Sequence, residues 1–183
     1  MDVLSHTQLL ASYNRRMNRQ VYAAAAQLEE TLLSEPAGAY FGSIFGTLNH
    51  ILVGDLIWLA RFATHKEAYS SLQALAELPC PQALDQLLYP RFGALAAARA
   101  LVDEAIVRWA SDELAAPDLA QPLAYCNVQG EATRRDFGEL VMHFFNHQTH
   151  HRGQVSTLLA QRGVDIGVTD FLLDIPRLDG NAG

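Results

Sequence analysis

No proline interrupts the chain between Pro122 and Pro176. Within that interval apolar residues recur at Phe137, Leu140, Val141, Phe144, Phe145, Val155, Leu158 and Leu159, close to the 3.6-residue period of a helix with one buried face. Asp136 stands in N-cap position, with Glu139 three residues on where a capping box needs it. Gly163, after Arg162, supplies the left-handed residue that ends such a helix. A helix this long cannot bury its apolar stripe alone, so the rest of the chain must offer faces to pack against it.

Three further segments read as helices. The first spans about His6 to Leu33, with Leu9, Leu10, Tyr13, Met17, Val21, Ala24, Ala25 and Leu28 as its stripe and Ser34-Glu35-Pro36-Ala37-Gly38 as the breaker that follows. The second spans about Ser43 to Ala63, with Ile44, Leu48, Ile51, Leu52, Leu56, Leu59 and Phe62 facing inward. The third spans about Gln82 to Ser111, interrupted near its start by Pro90, which suits the first turn of its regular part. Leu95, Ala98, Val102, Ala105, Ile106 and Trp109 form its packing side. Glu67 to Leu78 reads as a connection. Pro122 to Asn127 and Glu131 to Arg134, flanking Val128-Gln129-Gly130, read as a short two-stranded or extended excursion. The residues from Val164 to Pro176 carry enough apolar surface to dock on the bundle, and those after Leu178 read as frayed. The expectation is one all-α domain over residues 1–183, a four-helix bundle with a β-hairpin excursion before its last long helix.

Charge narrows the function. With a formal net charge of −7 and no Lys/Arg cluster beyond Arg15-Arg16 or Arg134-Arg135, the chain lacks the basic footprint of a nucleic-acid binder. No apolar run reaches the length of a membrane span, and the start has no charged segment leading into an apolar core. Cys80 and Cys126 are isolated, which suits packing roles in a reducing cytoplasm.

Four of the seven histidines, His143, His147, His150 and His151, fall within nine residues of the last helix. His143, His147, His151 and Gln154 lie on one stripe, with His150 about 60° away. Histidines four apart bring their Cβ atoms to roughly 6 Å, close enough for two imidazoles to meet one metal ion. A single His-x3-His pair is more often a pair of ordinary hydrogen-bonded histidines; two consecutive steps shift the balance toward metal. Spacing alone admits His143 with His147, His147 with His150, or His147 with His151. A further ligand must come from another helix. His50 is the candidate, in the middle of the second helix among the small residues Ser43, Gly46, Thr47 and Gly54. His6 and His65 sit at the ends of elements and read as solvated. Asp55, about 140° around the helix from His50, reads as a capping or pairing group. Gly153 reads as a point of close approach for a partner helix, and Arg152 as a structural group paired with a carboxylate.

These residues resemble the DinB family: Asn49-His50 on the second helix, His147-Gln148-Thr149-His150-His151-Arg152-Gly153-Gln154 on the last, Tyr13-Asn14-Arg15 near the start, the Tyr125-Cys126-Asn127-Val128-Gln129-Gly130 segment, and Gly167-Val168-Thr169-Asp170 after the last helix. The resemblance covers nearly the whole chain. It implies a four-helix fold, often a homodimer, with one divalent metal ion held by His50, His147 and His151. His143 and His150 then become pocket or neighbouring residues, Gln154 a partner for a ligand imidazole or metal-bound water, and Tyr125 a residue within reach of the site. Zinc, nickel, iron and manganese are all admissible.

A three-imidazole site keeps coordination positions open and can activate water, a carbonyl or a thiol. His-Glu-x-x-His is absent, so the protease arrangement lacks its base, and no Ser or Cys nucleophile motif stands out. Some relatives in the wider family look like metal-dependent transferases that activate a low-molecular-weight thiol. That implies S-transfer or isomerisation of a small-molecule substrate. The competing reading is a non-catalytic metal-binding stress protein whose metal is structural or sensory.

Overall fold

A computed structural model describes residues 2–127 and 130–177. Four long helices carry the architecture: α1 (Val3–Ala25), α3 (Ile44–Ala63), α5 (Phe92–Arg108) and α7 (Phe137–Ala160). Short helices α2 (Glu30–Ser34), α4 (Ser70–Gln73) and α6 (Ala116–Leu119) fill the connections. The strands β1 (Pro122–Cys126) and β2 (Ala132–Asp136) form an antiparallel hairpin that leads directly into α7. Helix α7 packs against α3 and α1, and α1 packs against α5. The all-α bundle with its hairpin excursion is therefore the fold. Two hairpin residues, Val128 and Gln129, and the tail from Leu178 lie outside the described residues. Among the described residues no helix is long and apolar enough to cross a membrane.

Side-chain chemistry sets the helix ends. Asp136 accepts a 2.9 Å hydrogen bond from the Glu139 N–H and caps α7. Ser43 accepts from the Gly46 N–H at 3.0 Å and caps α3, and Asp2 accepts from the Ser5 N–H at 2.8 Å and caps α1. Gly163, at φ +75°, closes α7 as expected.

Two boundaries differ from those read in the sequence. The segment read as one first helix breaks after Ala25, although neither glycine nor proline marks the place. After the break Leu33 of α2 is buried in the core, while Leu28 packs at its margin. The third long helix starts at Phe92, not Gln82. The residues before it stay irregular because their backbone serves α3: the Tyr89 N–H donates to the Asn49 side chain at 3.0 Å, and the Asn49 amide donates back to the Tyr89 carbonyl at 3.3 Å. Beyond Arg108 that helix widens into one π-helical turn, Trp109–Glu113, which buries Trp109.

The core is mostly apolar, and one seam of buried charged groups crosses it. Arg99 of α5 is buried between Asp55 of α3, to which it donates a short hydrogen bond, and Asp103, 3.0 Å away. Asn18 of α1 donates to Asp103 at 2.8 Å. Arg152 of α7 is buried beside them and donates to Asn14 of α1. Asp55 is thus the paired group that its angular position predicted. Arg152 is structural too, but its hydrogen-bond partners are Asn14 and Asn18, together with Gln148 and Thr149, and not a carboxylate. The first-helix stripe shifts accordingly: Asn14 and Asn18 are buried while Leu9 and Leu10 are half-buried. Burial pushes the Asp55 carboxyl up to about 6 against the pull of Arg99, and burial brings Arg152 down to about 10. Both remain charged at neutral pH.

Candidate metal centre

Helices α3 and α7 bring His50, His147 and His151 together. Nε2 of His50 lies 3.2 Å from Nε2 of His147 and 3.3 Å from Nε2 of His151, and one nitrogen from each ring falls within 4.8 Å of the others. Two ligand nitrogens bound at 2.0–2.1 Å with a tetrahedral angle between them stand about 3.3–3.4 Å apart. The two distances from the His50 nitrogen match that value.

The protons on the rings sharpen the fit. Nδ1 of His50 meets the Leu84 carbonyl at 2.8 Å, and a carbonyl only accepts, so that nitrogen carries the proton. Nε2 of a neutral His50 is then a bare lone pair. Gln154 presents its amide oxygen to Nδ1 of His151 at 2.9 Å and its amide nitrogen to Nε2 of His150 at 3.2 Å. This orientation satisfies both neighbours and leaves Nε2 of His151 as a second lone pair. Two lone pairs 3.3 Å apart have no hydrogen to share. A proton on Nε2 of His147 can satisfy one of them and not both. Added protons are resisted: burial, followed by His151, His50, His143 and His150, pushes His147 down to about 3. Burial also lowers His50 and His151. The cluster is neutral at physiological pH, with nitrogen lone pairs converging on one point, and a cation there satisfies them all. The Leu84 carbonyl and the Gln154 amide are the partners that commonly orient a metal-ligating imidazole through its other nitrogen.

Two glycines of α3 make the site possible. A Cβ on Gly54 would stand 2.8 Å from Cε1 of His147, so the bare glycine is the space that ring occupies. A Cβ on Gly46 would run into the Phe41 carbonyl oxygen. Because that backbone can approach, the Phe41 ring stacks on His50 at 3.6 Å between centroids and meets His151 edge-on at 5.6 Å. Beside this aromatic cover a cleft of about 540 Å³ has His50 in its wall, with Ser43, Asp85 and Leu87 around it.

The remaining sequence-predicted residues take different places. His143 is exposed; its ring centroid is 6.3 Å from that of His147 and it sits edge-on to Trp58. His150 is exposed at the rim, tied to Gln154. Tyr125 packs on Trp58, two turns of α3 beyond His50. Two expectations are corrected. Gly153 has nothing within 4 Å of where its Cβ would stand, so it admits no partner helix within the chain. His6 and His65 are half-buried: His65 packs 4.2 Å from the Phe137 ring and bonds the Asp118 carbonyl, and His6 lies 6.2 Å from the Phe171 ring. Phe41 and the Leu84 carbonyl are contributors that sequence reasoning missed. Both lie in irregular segments whose return to α3 carries no local pattern.

A helical bundle with a buried histidine on one helix facing a His-x3-His pair on another defines a class of proteins with the ligand set for one metal ion. The comparison with known families makes the class specific: the model of the DinB family matches residues 3–177, and the chain belongs to that family. It is similar to Protein DinB of Bacillus subtilis (strain 168), with 25% identity over 166 residues, 88% of this chain and 89% of the relative. No solved structure matches the chain at a significant level.

Proposed function

We propose that this protein binds one divalent transition-metal ion through Nε2 of His50, His147 and His151, and that it uses the ion to activate a low-molecular-weight thiol for S-transfer to, or isomerisation of, a small electrophile. The observation that carries the reading is the convergence of the three imidazoles, with Nε2 of His147 and of His151 at 3.2 and 3.3 Å from Nε2 of His50 and the outer nitrogens of His50 and His151 already engaged. A divalent ion held there supplies a Lewis acid that stabilises a thiolate at neutral pH. The chain's own groups do the rest. Leu84 and Gln154 fix the ring orientations, burial keeps the imidazoles uncharged, and Phe41 shields one side from water. In the transfer the thiol gives its proton to solvent, its sulfur forms the new S–C bond, and the leaving group departs with the bonding electron pair. Three protein ligands favour this over a purely structural ion, which commonly takes four; of the two further imidazoles nearby, His150 is tied to Gln154 and His143 is held against Trp58.

Elemental analysis of protein never exposed to a nickel column tests the first half. About one metal ion per chain is expected, absent in His50→Ala and His147→Ala and retained in His143→Ala. Equal metal content in all of these would remove the assignment. The second half is tested by loading the protein with cobalt and adding mercaptoethanol. A thiolate-to-cobalt absorption band supports the reading, and no spectral change at saturating thiol refutes it.

A further inference from the structure

On α3 the stripe that carries His50 and Gly54 continues to Trp58 and Arg61. Trp58 meets His143 edge-on at 5.3 Å and Tyr125 of the hairpin at 5.5 Å. The Arg61 guanidinium lies over both aromatic rings, 4.7 Å from the Trp58 centroid and 4.9 Å from the Tyr125 centroid. His147, His143, Trp58, Tyr125 and Arg61 thus form one continuous wall leading away from the imidazole cluster.

Arg61 differs from the other half-buried arginines among the described residues, Arg15, Arg16 and Arg162, each of which meets a carboxylate. Arg61 is half-buried, and among the described residues its guanidinium has no carboxylate and no hydrogen-bond acceptor. Burial lowers its pKa, opposed by Tyr125 and Cys126 and by no carboxylate, yet a guanidinium keeps its charge. Aromatic rings stabilise the cation without occupying its N–H fork. A half-desolvated fork with free donors is a receptor for a planar anion, and a carboxylate is the group whose geometry matches it.

We propose that Arg61, seated on Trp58 and Tyr125, is a subsite for the carboxylate of the small thiol that the histidine site takes. This rests on the function proposed above and specifies its ligand. At 1.5 Å per residue, Arg61 lies about 10 Å along the helix from Gly54, the level of His147, and about 16 Å from His50. The thiol therefore carries its carboxylate on the order of 10 Å from its sulfur, with the intervening part lying along Trp58.

The test uses the cobalt-loaded protein and four commercial thiols: mercaptoethanol, mercaptopropionic acid, mercaptooctanoic acid and mercaptooctanol. Dissociation constants are read from the thiolate-to-cobalt band. In the wild type, mercaptooctanoic acid is expected to bind about 10- to 100-fold more tightly than mercaptooctanol, whereas mercaptopropionic acid, too short to reach Arg61, gains nothing over mercaptoethanol. Arg61→Gln removes the long acid's advantage and leaves mercaptooctanol within two-fold or so; Arg61→Lys retains part of it. Cobalt stoichiometry and circular dichroism establish that the variants are folded. The wild-type comparison stands on its own should Arg61→Gln fail to fold. Equal binding of the long acid and the long alcohol, or equal loss of both in Arg61→Gln, overturns the subsite and leaves the proposed function intact. Failure of every thiol, mercaptoethanol included, to change the spectrum overturns both.

Discussion

Replacing Gly54 by alanine isolates the steric basis of the metal centre. In an exposed helix the substitution gains about 1 kcal/mol from propensity. Here the new Cβ would stand 2.8 Å from Cε1, 3.4 Å from Nδ1 and 3.6 Å from Nε2 of His147. Ordinary carbon contacts are about 3.5–4.0 Å, so the ring must retreat by roughly 0.7–1.2 Å. The ring is the far end of a side chain and can move, which limits the cost to the metal-free fold. A metal ligand has less latitude, since bond lengths hold within about 0.2 Å. The expected result is a metal-free protein within about 1 kcal/mol of wild type in urea denaturation, whose metal affinity falls about 10- to 100-fold, on the scale of perturbing a ligand's immediate support. Affinity is measured by competition with a chromophoric chelator. Gly153→Ala is the control. That glycine is also interior to a helix but has open space around it, so alanine there should stabilise by roughly 0.5–1 kcal/mol with metal affinity unchanged. Wild-type affinity in Gly54→Ala would show that the three rings need no such clearance, and the geometric account of the site would fall.

Three other outcomes are expected. Gln154→Leu removes the acceptor at Nδ1 of His151 and should weaken metal binding about 10- to 100-fold with little change in fold stability; an unchanged chelator titration would refute the orienting role. Arg99→Leu leaves Asp55 and Asp103 buried without their cation and should cost about 3–5 kcal/mol in urea denaturation, and a loss under about 1 kcal/mol would show that the seam is solvated. The metal-free protein should lose stability as pH falls from about 6.5 toward 3. His147 is pushed down to about 3 in the fold, so over that window the unfolded chain binds a proton the folded chain refuses. The difference between wild type and His147→Ala should shift steadily with pH in urea melts, and a constant difference would contradict it.

How far the sequence reached depends on whether a feature is periodic. The apolar stripes of α3 and α7 are local patterns, and they located His50, His147 and His151 on facing helices before any coordinates. Asp136 and Gly163 are chemical punctuation and fixed both ends of α7. The break after Ala25 has no such marker; what accompanies it is the burial of Leu33 from a separate short helix, a tertiary contact that leaves no local pattern. The burial of Asn14 and Asn18 was equally unreadable, because polar residues on a helix read as its wet face until charged groups from α5 and α7 are seen to meet them. The Leu84 carbonyl is a backbone atom in an irregular segment, 34 residues from the histidine it orients, and backbone acceptors carry no residue signature. Gly54 and Gly153 look alike in sequence, and only the surrounding atoms show that one is a clearance and the other is open space.

The polar seam and the histidine cluster are two faces of one requirement. On α7, Arg152, bonded to Gln148 one turn before it, reaches α1 while the neighbouring His147 and His151 meet His50 of α3. Leucine and valine stripes tolerate small slips between helices, because one aliphatic contact replaces another. A slip of one residue would move a histidine about 1.5 Å along α7 and about 100° around it, and the lone pairs would no longer converge. Arg152 on Asn14, and Arg99 between Asp55 and Asp103, cannot slip without stranding a buried charge. They set α7, α1, α5 and α3 at fixed heights relative to one another. The imidazole cluster can then be made from only three side chains and two outer hydrogen bonds, since the registration of its helices is held on the far side of α7 by groups that take no part in it.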